Sequence, residues 1–147
     1  MPDLFSPFTL KDVTLRNRIV MSPMTIYRSV DGKMTDFHVM LMGSRAAGGF
    51  GLVFPEQIAV APDGRTSTGC AGLYDDARME GLARVAAIIK DMGAVPAIQL
   101  GHTGRKGSEK SPGMARPSCR RTTPTAGRSA RRPRSLMAGA TPIPSRR

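Results

Sequence analysis

The sequence has no tryptophan, only two cysteines and an aromatic content of 5% over 147 residues. Cys70 and Cys119 stand far apart, with no Cys-x-x-Cys and no Cys/His cluster around them. That spacing excludes a zinc ribbon and a disulfide framework and leaves two ordinary thiols. No apolar run approaches the roughly 18 residues that a membrane-crossing helix requires. Met1 to Pro7 carries Asp3 where a secretory leader would carry basic residues, and no long apolar core follows. A cytoplasmic protein without a signal peptide is therefore the default expectation. Neither Gly-x-Gly-x-x-Gly after the first apolar run nor Gly-x4-Gly-Lys-Ser/Thr anywhere is present, so the two common phosphate loops of open α/β sheets lose support.

Acidic residues are what the C-terminal part lacks. Residues 1–107 hold 12 Lys+Arg against 10 Asp+Glu, whereas residues 108–147 hold 10 against 1, so the net charge of +11 divides into +2 and +9. A basic segment invites a nucleic-acid reading. This one has no aromatic residue to stack on a base and no helical spacing of its arginines, so specific recognition is not expected. A non-catalytic chain whose basic tail binds nucleic acid non-specifically, through phosphates and in a salt-dependent way, stays as the alternative reading. Rich in Arg, Pro, Ser, Thr and Ala, residues 108–147 cannot bury a core and read as a disordered tail.

Residues 1–107 are organised differently. Phe8-Thr9-Leu10 and Val13-Thr14-Leu15 alternate apolar and polar residues across Lys11-Asp12, the pattern of a small β-hairpin. Arg18-Ile19-Val20-Met21 is a short apolar run stopped by Ser22-Pro23, which reads as a buried parallel strand followed by a loop. Thr35 can cap a helix with Phe37, Met40 and Leu41 on one face, ended by Gly48-Gly49. Gly51 to Phe54 supplies a second strand. After a turn at Pro62-Asp63-Gly64, Asp75-Asp76 opens a second helix with a stripe of Leu82, Val85, Ala86 and Ile89, closed by Gly93. Val95 to Leu100 is a third strand, with Pro96 tolerable only near its beginning. Strand, helix, strand, helix, strand with short connections implies βαβ units and a parallel sheet, although periodicity alone cannot separate an open sheet from a barrel.

Four segments then narrow the choice. They are Leu4-Phe5-Ser6-Pro7 with Leu15-Arg16-Asn17-Arg18, Met21-Ser22-Pro23-Met24, Gly64-Arg65, and Gln99-Leu100-Gly101-His102-Thr103-Gly104-Arg105-Lys106. In order and separation this set resembles the old yellow enzyme family of flavin-dependent ene-reductases, TIM-barrel oxidoreductases that hold FMN. The resemblance runs from residue 4 to about 107. It implies a partial (β/α)8 barrel over residues 1–107, about three strands with an N-terminal hairpin cap, because a complete barrel takes roughly 250 residues. Three strands alone would leave unpaired edges and an open apolar face, from which aggregation or a molten state is expected.

The resemblance also assigns residues. Ser22, Pro23, Met24 and Thr25 would line the isoalloxazine ring, with Thr25 donating to the flavin O4 or N5 edge. Some bacterial relatives have cysteine there, so threonine argues against a thiol-tuned flavin. Gln99, near the end of the third strand, offers the donor and acceptor that the pyrimidine edge needs. Gln57 follows the second strand where relatives usually have a small residue near the flavin, and so departs from the pattern. Tyr27 would reach toward the substrate carbonyl. Taken without the family, Thr25 reads as a plain loop residue and Gln99 as a structural polar group. His102 reads as a loop-organising residue.

In the family, hydride passes from NADPH or NADH to flavin N5 and on to the β-carbon of an activated alkene, an enone or enal. A His-x-x-Asn or His-x-x-His pair polarises its carbonyl. Neither His38 nor His102 begins such a pair. No catalytic residue is therefore assigned, and a chain of this length is expected to be inactive. The loops that hold the FMN phosphate belong to later strands. Substrate identity, the choice between NADH and NADPH, and homo-oligomerisation of intact relatives stay open. For the tail, Gly113-Met114-Ala115 read one base earlier can encode Trp-Asp-Gly, common in relatives at this point, so a shifted reading frame is expected for residues 108–147.

Overall fold

The structure, a computed structural model, describes Met1 and residues 3–107. The expected disordered, frame-shifted tail of residues 108–147 lies outside the described residues. Two strands, β1 (Phe8–Leu10) and β2 (Val13–Leu15), form the expected antiparallel hairpin, with Phe8 opposite Leu15. Lys11 takes a φ of 52° in its turn.

The chain then runs through β3 (Val20–Met21), α1 (Asp36–Ala47), β4 (Leu52–Val53), β5 (Gln57–Ala59), α2 (Met79–Asp91), β6 (Val95–Pro96) and β7 (Gln99–Gly101). β3, β4 and β6 form a parallel sheet in that order, and β5 pairs with β7 in a second parallel ladder. The second expected strand, Gly51 to Phe54, is β4, and β5 is a further short strand beyond it, whereas the third, Val95 to Leu100, is divided into β6 and β7. Phe54-Pro55-Glu56 separates β4 from β5, since proline has no N–H for a ladder. In β6, Pro96 lies on a strand paired on one side only, and its neighbours Val95 and Ala97 donate to Gly51 and Val53. Gln57 lies after the second strand, as expected, and opens β5.

Sheet and helices are brought together by their apolar faces. Met21 and Val53 occupy one register row and pack with Met42 and Ala46 of α1 and Val85 and Ile89 of α2. The preceding row, Val20, Leu52 and Val95, faces the opposite side, where Val20 is 44% exposed. α2 buries Val85 and Ile89 of the expected stripe, with Leu82 packed against the core. The burial of α1 differs from expectation: Met40 is 60% exposed and Phe37 lies at the surface, while His38, Met42, Gly43 and Ala46 point inward. His38, Met42 and Ala46 are helical neighbours four apart, with Gly43 three before Ala46, and Gly43 matters because a methyl built on it would meet Ile88 of α2 at 2.9 Å. The two helices therefore lie against each other on one side of the sheet. Strands in sequential order with both helices on one side follow the winding of a barrel rather than that of a doubly wound sheet.

Arg16 and Asn17 tie the entry of the sheet to the ends of both helices. The guanidinium of Arg16 donates to the carbonyls of Ala46, Phe50 (2.9 and 3.2 Å) and Met92 (3.1 Å). These lie at the C-terminal ends of α1 and α2, where carbonyls lack helical partners. Asn17 donates to the Gly49 carbonyl at 2.7 Å and accepts from the Ile19 amide at 3.0 Å, fixing the entry into β3.

Candidate functional site

The residues singled out by sequence lie beyond the C-terminal ends of β3, β4 and β6. Ser22 to Tyr27 form the loop that leaves β3. Gln57 opens β5, downstream of β4, and Gln99 opens β7, downstream of β6. In barrel enzymes this end of the sheet carries the active site.

Gln57 and Gln99 stand opposite each other in the ladder, so their side chains leave the same face. The Gln57 side chain leans along the sheet, and a methyl built on Gly101 would fall 1.7 Å from its Nε2. A glycine at 101 is what leaves room for it. Gln57 is half-buried and Gln99 exposed.

Ser22 and Thr25 are exposed, and Pro23 and Tyr27 half-buried, while Met24 is 55% exposed. Tyr27 has a φ of 59°. For a bulky residue that conformation costs on the order of 1–3 kcal/mol and persists only where the surroundings hold it.

Among the described residues, the hydroxyls of Ser22, Thr25 and Tyr27 and the amides of Gln57 and Gln99 make no intramolecular hydrogen bond. Other hydroxyls here are engaged: Thr103 donates to the Gly64 carbonyl at 2.9 Å and Ser44 to the Leu41 carbonyl at 2.8 Å. Groups left free at one end of the sheet suit a ligand edge bearing several donors and acceptors, such as the pyrimidine ring and O4/N5 edge of a flavin.

Behind this loop lies a polar cluster that the sequence reading did not assign. His38 and Glu56 are wholly buried and 3.2 Å apart, and Ser29 is buried beside them. Glu56 accepts from the Ile26 amide at 3.3 Å and from the Ser29 hydroxyl at 3.2 Å. The available signal was one acid within the apolar stretch from Leu52 to Val60. Burial of His38 also removes it from any role in binding a substrate carbonyl.

His102 has the organising position expected of it. Its ring packs on Gly64, its Nδ1 accepts from the Gly104 amide at 3.1 Å, and its Nε2 lies 3.6 Å from Asp63. Thr103 bonds the Gly64 carbonyl through both its amide and its hydroxyl. The Gly64-Arg65 and Gly101-to-Lys106 motifs, far apart in sequence, are therefore one closed loop junction. Among the described residues no group of three His, Cys, Asp or Glu could hold a metal ion, and no helix is long and apolar enough to cross a membrane.

Comparison with known proteins gives one consistent result. Residues 3–134 match the NADH:flavin oxidoreductase / NADH oxidase family, a span that contains every motif segment above and runs on beyond Gly107. Among solved structures, the chain is similar to morphinone reductase in complex with tetrahydroNAD, at 31% identity and a TM-score of 0.68, over 73% of this chain and 29% of that one. It is similar to the old yellow enzyme homologue from Zymomonas mobilis, at 30% identity and a TM-score of 0.66, over 71% and 29%. The old yellow enzyme from Trypanosoma cruzi matches at 31% identity and a TM-score of 0.62, over 71% and 28%. The chain thus spans under a third of the length of these three solved proteins.

Proposed function

This chain belongs to the NADH:flavin oxidoreductase / NADH oxidase family, and from that premise we propose that it carries the flavin-ring side of an FMN-dependent NAD(P)H oxidoreductase that reduces activated alkenes. The observation that supports this reading is the set of free polar groups that follow β3 and that open β5 and β7. FMN, when bound, would supply the hydride chemistry between a nicotinamide and an electron-poor alkene.

The residues of this chain bind and orient. Thr25 donates a hydrogen bond to the O4/N5 edge, and Gln99, with Gln57 beside it, meets the pyrimidine edge. Ser22, Pro23 and Met24 form a wall against the ring, and the proline keeps the adjacent backbone stiff. Tyr27, on the same loop, points its phenol toward the carbonyl of an enone or enal. A polypeptide of these 147 residues alone does not turn over an alkene, because it contains no His-x-x-Asn or His-x-x-His to polarise that carbonyl.

Titration of FMN with the 147-residue chain tests the binding part. The expected outcome is a saturable change in flavin absorbance and fluorescence that Gln99→Leu weakens. Flavin spectra that stay those of the free cofactor would sink it. A steady-state assay with NADPH or NADH and a simple cyclic enone tests the rest, and turnover by the isolated chain would contradict the second statement.

A further inference from the structure

The buried acid behind the loop has a specific task. Glu56 lies between β4 and β5, directly before Gln57, and its side chain has no exposure to solvent. A buried carboxylate is costly unless its oxygens are matched by donors. Here three donors converge. Oε2 accepts from the Ile26 amide at 3.3 Å, while Oε1 accepts from the Ser29 hydroxyl at 3.2 Å and faces His38 Nε2 at 3.2 Å.

The state of His38 follows from its other nitrogen. The Thr35 amide donates to Nδ1 at 3.0 Å, so Nδ1 bears no proton and Nε2 must. That tautomer makes His38 a neutral donor, anchored to the N-terminus of α1 and aimed at Glu56. It also orients the carboxylate so that its remaining capacity turns to the loop.

Two of the three donors come from that loop, and they bracket Tyr27. Ile26 precedes it, Ser29 follows, and Tyr27 itself has the left-handed φ of 59°. Thr25 is the next residue before Ile26. Ser29 is held a second time through its amide, which donates to the Gly69 carbonyl at 2.9 Å. A residue needed only to fill space here could be Leu or Met, at no desolvation cost.

We infer that Glu56 is a positioning residue: by binding the Ile26 amide and the Ser29 hydroxyl, with His38 orienting it, it sets the Thr25–Tyr27 segment for contact with flavin and substrate. The ordering stands on the hydrogen bonds alone, and its purpose rests on the flavin reading above. One carboxylate thereby ties the strand that carries Gln57 to the loop that carries Thr25 and Tyr27, so that the two sides of the ring site hold a fixed separation.

Amide hydrogen exchange on the labelled 147-residue chain, measured without FMN, separates ordering from general stability. With Glu56→Leu, exchange at Ile26 is expected to rise by about tenfold, the effect of one lost hydrogen bond, while Val85 and Ile89 in α2 keep their wild-type rates. Glu56→Gln keeps the shape and one acceptor oxygen, so its Ile26 rate is expected to fall between. An equal rise at Ile26, Val85 and Ile89 in both variants would make Glu56 a general stability residue and overturn the inference. So would an Ile26 amide that is unprotected in the wild type, or unchanged in Glu56→Leu.

Adding FMN then tests the purpose. In the wild type the Thr25 and Gln99 resonances are expected to shift, and in Glu56→Gln the Thr25 shift shrinks while that of Gln99 persists. If neither shifts in the wild type, the flavin reading fails, and the exchange ratio still decides whether Glu56 orders the loop. If both shift equally in wild type and variant, Glu56 does not position Thr25.

Discussion

Gln57 lies opposite Gln99 in the parallel β5–β7 ladder, and its amide occupies the space above Gly101 that any larger residue would need. The long side chain at position 57 is accommodated by a glycine two positions beyond its partner. The pair presents two free amides side by side.

Gly101→Ala tests that accommodation. The new methyl would lie 1.7 Å from Gln57 Nε2, and the far end of a flexible side chain moves more cheaply than backbone. Displacement of the Gln57 amide is expected to weaken FMN binding by about tenfold, while stability changes by less than about 1 kcal/mol. Combining it with Gln57→Ala removes the clash, so the two effects on flavin titration are expected to be non-additive. Additive effects would show that the two residues do not meet.

Gln99→Leu separates site from scaffold. Because this amide makes no hydrogen bond to another described residue and is exposed, its loss is expected to shift stability by no more than about 0.5 kcal/mol. Flavin affinity falls in the same variant. Urea melts and flavin titration on one preparation check both halves.

Arg16→Met is expected to do the reverse. It leaves the carbonyls of Ala46, Phe50 and Met92 without their donor, at a cost of about 1–3 kcal/mol read as a lower urea midpoint. The free groups at the other end of the strands are untouched, so flavin affinity of the folded fraction stays at the wild-type value.

An acid-side prediction comes from the start of α2. The hydrogen bond from Arg78 holds the Asp75 carboxyl below its ordinary value of 3.8. A depressed folded value means that the stabilisation is fully present above the unfolded value, near pH 4, and is lost as pH falls through the folded one. A carbon-detected titration of Asp75 should show a midpoint below 3.8, moving back toward it in Arg78→Met. A midpoint at 3.8 in both would mean that the pair does not form in solution.

Much of the fold was legible because its signals are local. Alternation across Lys11-Asp12 gave the hairpin, Thr35 and Gly48-Gly49 bounded α1, and Gly93, at a φ of 77°, closed the helix that precedes β6. The face of α1 was not legible. Of the apolar stripe Phe37, Met40 and Leu41, Leu41 alone packs against the core, and the buried face contains a histidine and a glycine, because His38 has a buried acid to meet and Gly43 lets α2 come close. An isolated helix carries no record of either neighbour.

The sequence by itself determined the alternation of strands and helices, the family motifs, and the residue types that suit a flavin edge, since each is written in a short window of chain. Only the tertiary structure decided that both helices share one side of the sheet, that Gln57 faces Gln99 over Gly101, and that Glu56 reaches across to Ile26 and Ser29. Those relations join residues distant in sequence, and they form where packing repays the desolvation of a buried acid and the closeness of a glycine contact.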